Sequence, residues 1–118
     1  MAKQRLQHYL RTYRRRSGFS QEEIAQLLGA SSGTKVSRYE SFRRCPSVIT
    51  VFAYEVIFNQ PARELFAGFY DGVHQEVRQR AERLAKALAE RDTDPETVRK
   101  LVFLRRIVDP KTNQLDGQ

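Results

Sequence analysis

The chain has 118 residues, enough for one domain with a modest hydrophobic core or for a small domain with an accessory element. Its formal charge of +7 favours a polyanionic partner but does not distinguish DNA from RNA or a membrane surface. The single cysteine, Cys45, excludes an intramolecular disulfide, and no apolar run approaches the ~18 residues of a membrane span. The N-terminal sequence also lacks a signal peptide's apolar stretch, so we expect a soluble cytoplasmic protein.

The positive charge is concentrated in the first part of the chain. Up to Tyr70 there are 11 Lys and Arg against 5 Asp and Glu, whereas from Asp71 onward the numbers are 10 and 9. The N-terminal part is therefore expected to meet the polyanion. His8 and His74 offer no metal-ligand spacing, and we expect both on the surface.

The first predicted helix places Leu6, Leu10 and Tyr13 on one face and ends at Gly18. Arg11, Arg15 and Arg16 lie mostly off that stripe. Arg14 to Arg16 form a basic run before Gly18. They fit a polyanion-binding surface, and they also fit an ordinary solvated helix face.

A capping box predicts the start of the second helix. In Ser20-Gln-Glu-Glu23 the serine oxygen accepts from an early backbone N–H and the glutamate reaches back. The predicted buried stripe of this helix ends at Gly29. A third short helix is predicted from about Gly33 to Ser41, with Val36 and Tyr39 facing inward.

Pro46 marks the next break. Ser47 to Phe58 has the composition of a strand, but the spacing of Ile49, Phe52, Val56 and Ile57 predicts a helix. A short helix is predicted to begin at Pro61.

Gly68 and Gly72 are expected to flank the end of the first unit, which predicts a domain over residues 1–68 and a C-terminal region over 69–118. A long helix is predicted over Asp71–Arg91. Asp94-Pro95 predicts the start of a last helix that runs to about Val108, followed by a frayed tail.

The order SQEEIA, LLG, VSRYE and Pro46 resembles the helix-turn-helix of the phage repressor family, the Cro/cI or xenobiotic-response-element type, over roughly residues 6–67. The resemblance implies an all-α protein, with a five-helix DNA-binding domain followed by two C-terminal helices. The segment from Gly29 to Glu40 is one residue longer than the usual family spacing. Phe42 stands where the family often has glycine, and its ring is expected either to pack on the fourth helix or to be exposed.

The resemblance also implies roles for single residues. Arg14 and Glu40 match a pair that forms a structural salt bridge, Gln21 would hold a phosphate, and Arg38 would read guanine. The free backbone N–H groups at the start of the third helix would face phosphate. The full predicted DNA-binding set is Gln21, Ser32, Gly33, Thr34, Lys35, Ser37, Arg38, Arg43 and Arg44.

The long C-terminal helix carries a short heptad seam. This helix either packs back on the first domain or on the last helix, or forms a dimer interface, which we favour because two copies can read a palindrome. The predicted dimerisation residues are Tyr70, Val73, Val77, Ala81, Leu84 and Leu88.

These patterns predict a bacterial or phage transcriptional regulator that binds double-stranded DNA as a homodimer and represses by occupying an operator. The sequence shows no catalytic arrangement, so we expect neither an enzyme nor a metal or cofactor. Two other classes fit the same chain. One is an antitoxin-like module that masks a protein partner through its C-terminal helices, and the other is an RNA-binding protein.

Overall fold

The computed structural model describes residues 8–91 and 94–109, and all regular structure in these ranges is helical, as predicted. The chain divides into two compact units, an N-terminal unit that ends at Asp71 and a C-terminal unit that begins at Gly72. Leu6 and the predicted frayed tail after Asp109 lie outside the described residues. The helices in chain order are α1 Leu10–Ser17, α2 Gln21–Leu28, α3 Gly33–Glu40, α4 Val48–Phe58, α5 Ala62–Leu65, α6 Ala67–Arg91 and α7 Pro95–Val108.

The predicted helix ends are present. Gly18 and Gly29 adopt left-handed conformations with φ of 82° and 73°, which stop α1 and α2. The capping box of α2 is complete: the Glu23 N–H donates to Ser20 Oγ at 3.1 Å, and the Ser20 N–H donates to the Glu23 carboxylate at 2.8 Å.

Five large side chains from five different helices are fully buried in the N-terminal unit, and they define its core. Aromatic contacts extend this core: the rings of Tyr54 and Phe58 stack with centroids 5.9 Å apart, and Tyr39 meets Tyr54 edge-on at 6.3 Å. The fully buried side chains are those of Leu10, Ile24, Val36, Tyr54 and Leu65.

Helix α4 forms where the sequence predicted a helix, and Ser47 caps it by accepting from the Thr50 N–H at 3.3 Å. Its buried side consists of Tyr54 and Phe58. The apolar spacing that predicted the helix belongs largely to the opposite side, which is exposed to solvent.

Helix α6 corrects one prediction. It begins at Ala67 rather than Asp71, so Gly68 and Gly72 lie inside it and do not interrupt it. Glycine weakens a helix by only about 1 kcal/mol relative to alanine, which the rest of this 25-residue helix outweighs.

In the C-terminal unit the last helix begins where predicted, because Asp94 Oδ1 accepts from the Thr97 N–H at 2.7 Å. Of this unit's described residues only Ala81 and Thr97 are buried. None of the described helices is both long and apolar enough to cross a membrane.

Candidate nucleic-acid interface

Helices α2 and α3 are joined by a turn that the left-handed Gly29 opens. The Ala30 N–H donates to the Ala25 carbonyl at 2.8 Å, which closes the turn onto the end of α2. Val36 and Tyr39 are buried beneath α3 together with Ala25. With its inner face fixed in this way, α3 presents its other face outward.

The outward face of α3 consists of polar and basic residues. They are flexible or hydrogen-bonding side chains of the kinds that contact base edges and phosphates. The exposed residues are Thr34, Lys35, Ser37 and Arg38.

The start of α3 differs from the prediction. Gly33 is buried, and its N–H donates to Glu22 Oε1 at 2.9 Å. A Cβ at this position would lie 2.6 Å from the same oxygen, so Gly33 permits the close approach of α2 and α3. The next N–H, that of Thr34, lies 3.4 Å from the oxygen of the N-cap Ser32. The first two backbone N–H groups of α3 therefore donate to side chains of this chain and, contrary to the prediction, are not free to face a phosphate.

The sequence pattern missed Glu22, because its role depends on how closely α2 and α3 approach. A carboxylate that caps a helix 11 residues further along has no signature in spacing. Its negative charge beside the positive end of α3 stabilises that end.

The end of α3 brings three arginines together. The backbone N–H groups of Arg43 and Arg44 both donate to the Arg38 carbonyl, at 3.0 and 3.2 Å. Phe42 has a left-handed φ of 65°, which turns the chain back across the end of the helix. The side chains of all three arginines are exposed, and they extend the basic face of α3 beyond its last turn.

Phe42 is exposed, which is one of the two predicted outcomes, and its ring also contacts a residue that precedes α1. Although 48% of it is exposed, its ring lies 4.5 Å from the ring of His8, centroid to centroid. His8 is buried, so the prediction of a surface histidine was wrong. Its Nε2–H donates to the Tyr39 carbonyl at 2.7 Å, because a carbonyl can only accept. His8 thus joins the residues before α1 to the end of α3.

Burial lowers the pKa of His8, and its hydrogen bond to Tyr39 offsets only part of that effect. The other ring nitrogen, Nδ1, has no hydrogen-bond partner in the described part of the chain. A proton added there would be buried without an acceptor, which explains the direction of the shift.

Arg14 and Glu40 form the ion pair that the resemblance implies. Arg14 Nε and Nη2 donate to the two carboxylate oxygens at 2.6 and 3.1 Å, and Arg14 Nη1 donates to the Phe19 carbonyl at 3.1 Å. The hydrogen bonds to Glu40 raise the pKa of Arg14. Glu40 is buried, so the pair fixes α1 against the last residue of α3.

Gln21 belongs to the same hydrogen-bond network. Its Nε2 donates to Glu40 Oε1 at 3.2 Å, and the residue is half-buried. This contact positions α2 against α3, and the binding of a phosphate by Gln21 stays a prediction.

The three arginines at the end of α1 have different surroundings. Arg14 is internal to the ion pair, whereas Arg15 and Arg16 are exposed. The Arg16 guanidinium lies 5.6 Å from the centroid of the Tyr13 ring, a cation–π distance. Arg15 and Arg16 remain available to a polyanion. No group of three or more His, Cys, Asp or Glu residues in the described ranges is placed to hold a metal ion.

Comparison with known proteins agrees with this geometry. Residues 5–53 match a protein family described as a helix-turn-helix domain, and the matched segment contains α1, α2, α3 and the first half of α4. No curated protein and no solved structure matches the chain.

Proposed function

We propose that this chain, whose residues 5–53 match a helix-turn-helix domain family, is a sequence-specific regulator of transcription that binds double-stranded DNA as a homodimer. The observation that carries the proposal is the exposed basic face of α3, with Arg38, Arg43 and Arg44 held together by backbone hydrogen bonds at its end. Placed in a major groove, α3 would read bases through Thr34 and Arg38 while the two following arginines contact phosphates.

The structure supports a distinction between base readers and phosphate contacts. Arg38 belongs to α3 itself, so it moves with the recognition helix, and its guanidinium can bond two guanine acceptors. Arg43 and Arg44 follow the helix on a turn and supply charge near its end. Lys35, Ser32 and Ser37 complete the polar surface of α3.

Homodimerisation is the second part of the proposal. Val73, Val77 and Leu84 on α6 are large apolar residues that remain exposed, as is Tyr70. Pairing α6 with its copy would cover this stripe, and two recognition helices could then bind half-sites one DNA turn apart. Ala81 is buried and Leu88 is half-buried within one chain, so these two would contribute less to the interface than predicted.

In the cell, such a dimer would act in the cytoplasm of a bacterium, or on behalf of a phage, by occupying an operator. Repression is the simplest result of occupancy, because a protein bound across a promoter excludes polymerase.

Arg38→Ala tests the recognition face directly. We expect it to lower the affinity for the preferred site by roughly tenfold to a hundredfold and to relax the preference at one base pair, because a bidentate contact contributes ~1–3 kcal/mol. Arg63→Ala, on α5, is a matched control that removes the same charge from another exposed arginine. Binding should be measured on DNA selected from a random library, together with single-base variants of it.

Arg44→Ala should behave differently, by weakening binding to all duplexes about equally and reducing the salt dependence by about one counterion. If Arg38→Ala leaves sequence preference unchanged, α3 is not the reading helix. If structured RNA displaces the selected duplex, RNA is the ligand of this face.

One observation favours a second candidate function, an antitoxin-like module that masks a protein partner. Within the C-terminal unit, α6 and α7 enclose an open groove of about 490 Å³ that includes Leu84, Leu88 and the exposed Phe103. A partner segment could occupy this groove. Stoichiometric co-purification of a second protein from the native host, lost in Phe103→Asp, would favour this function over a free DNA-binding dimer.

A further inference from the structure

Helix α4 has large apolar residues on both its buried and its exposed side, and Thr50 and Glu55 interrupt them. Tyr54 and Phe58 face the core, yet Ile49 is 74% exposed and Val56 is 81% exposed on the other side. A helix that is apolar on all sides is normally covered on all sides. The other residues of the N-terminal unit leave Ile49 and Val56 in solvent.

The exposed surface extends beyond α4. Phe19 and Leu27, from the start and the end of the α2 region, are also exposed and border a groove of about 500 Å³ against Ala53, Val56 and Ile57. We call this surface the apolar face, and it consists of Phe19, Leu27, Val48, Ile49, Phe52 and Val56.

The apolar face is as large as the largest apolar patches that typical monomers leave in solvent. Its six side chains expose roughly 600 Å², at the upper end of the largest patch found on typical monomers. Two such faces brought together would bury roughly 1,200 Å², the lower limit of a stable protein–protein interface.

The charge of the apolar face indicates which partner fits it. None of its members is ionisable, although the chain as a whole has a formal charge of +7. Glu55 is the single charged residue of α4; it is half-buried, and its carboxylate accepts from the Ala62 N–H at 2.7 Å. An acidic or basic partner would find no opposite charge here, whereas two copies of a neutral face meet without repulsion.

We propose that the apolar face is a self-association surface, which binds the apolar face of a second copy of this chain about a two-fold axis near Phe52. An isologous contact requires a self-complementary surface, and a neutral stripe with Phe52 between Ile49 and Val56 meets that requirement. This surface is separate from the stripe on α6, and it does not depend on whether α3 binds DNA.

Phe52→Asp in the full chain tests the proposal by placing a like charge on both sides of the axis. We expect the self-association constant, measured by sedimentation at several concentrations without DNA, to weaken by about tenfold or more. The thermal unfolding of the variant diluted to monomer should stay near that of the parent, because Phe52 is exposed. Ser31→Asp adds the same charge to an exposed turn and should leave association unchanged.

Cross-linking gives a second measurement that does not depend on the charged variant. In a Cys45→Ser background, which removes the exposed native thiol, Phe52→Cys should form a disulfide-linked dimer on mild oxidation. Ser31→Cys in the same background is the control.

The proposal is overturned if Phe52→Asp associates like the parent and Phe52→Cys cross-links no faster than Ser31→Cys. It is also overturned if Val73→Asp, on α6, abolishes all association while Phe52→Asp has no effect. Loss of DNA binding in Arg38→Ala has no bearing on either outcome, so failure here is distinguishable from failure of the proposed function.

Discussion

The N-terminal unit buries five large side chains completely, whereas the C-terminal unit buries only Ala81 and Thr97 of its described residues and leaves Val77, Leu84 and Phe103 in solvent. The first unit therefore has a core that a single chain can form. The second has two helices whose apolar residues are still largely uncovered. This difference indicates that the N-terminal unit supplies most of the monomer's stability, and a partner that covered the C-terminal helices, as proposed above, would stabilise them further.

Truncating one leucine in each unit should give the largest difference in stability between the two units. Leu65 is fully buried and Leu84 is 50% exposed. We expect Leu65→Ala to lower the free energy of unfolding by about 4 kcal/mol, through lost burial and a cavity, and Leu84→Ala to lower it by less than about 1 kcal/mol in dilute solution. Denaturant unfolding measures both, and the Leu84→Ala effect should grow with protein concentration. Equal effects in dilute solution would contradict the comparison.

Breaking an ion pair should also cost much more stability in the N-terminal unit than in the C-terminal unit. Arg14→Ala leaves the buried Glu40 carboxylate without its partner, and we expect a loss of about 3 kcal/mol, reduced somewhat because Arg14 is partly exposed. Arg80→Ala removes an exposed contact to Glu76, with 3.9 Å between nitrogen and oxygen, and should cost less than about 0.5 kcal/mol. Thermal unfolding in low and high salt measures both losses. Salt should reduce the difference between the Arg14→Ala and Arg80→Ala losses only slightly, because the Arg14–Glu40 pair is partly buried. A loss below 1 kcal/mol in Arg14→Ala would show that Glu40 is solvated.

Two glycines should respond in opposite directions. Gly33→Ala would place a methyl group against Glu22, so we expect it to destabilise the N-terminal unit by about 1–2 kcal/mol. Gly72 has open space around it inside α6, and Gly72→Ala should stabilise by about 0.5–1 kcal/mol through helix propensity. Denaturant unfolding of both variants measures these two changes in the free energy of unfolding. Destabilisation by Gly72→Ala would mean that α6 needs a glycine there.

The smallest expected effect is the pH dependence of His8. Burial holds its folded pKa below the unfolded value of ~6.5, so the unfolded state binds the proton more readily. Stability from this residue is present above pH ~6.5 and is lost as the pH falls through the lowered folded pKa. His8→Gln keeps a neutral donor toward Tyr39 and should flatten this part of the stability–pH curve. If the His8→Gln and parent curves remain parallel between pH 7 and 5, His8 titrates as it does in the unfolded chain.

Local signals in the sequence predicted the helices well. The capping box at Ser20 and the glycines at 18 and 29 act over a few residues, so their outcome does not depend on the rest of the fold. The prediction of a helix end near Gly68 was wrong because it relied on residue type alone. The residues on both sides of Gly68 continue the helix through it.

Features that depend on tertiary approach could not be predicted from spacing. The spacing in α4 gave the correct helix, but it could not show that Ile49 and Val56 face solvent, since both sides of α4 are apolar. Gly33 was predicted to read bases, yet its contact with Glu22 exists only once α2 and α3 pack. The sequence predicts His8 on the surface, because nothing near it in the chain indicates its aromatic neighbours.

The contact between Gly33 and Glu22 has a consequence for reprogramming this protein. Position 33 has no room for a side chain, and Val36, Tyr39 and Glu40 are committed to the interior of the N-terminal unit. If α3 reads DNA as proposed, its base contacts are confined to four exposed positions that the core does not constrain. A library that varies those four among good helix formers would then change the DNA sequence selected while it left the core unchanged. The variable positions are Thr34, Lys35, Ser37 and Arg38.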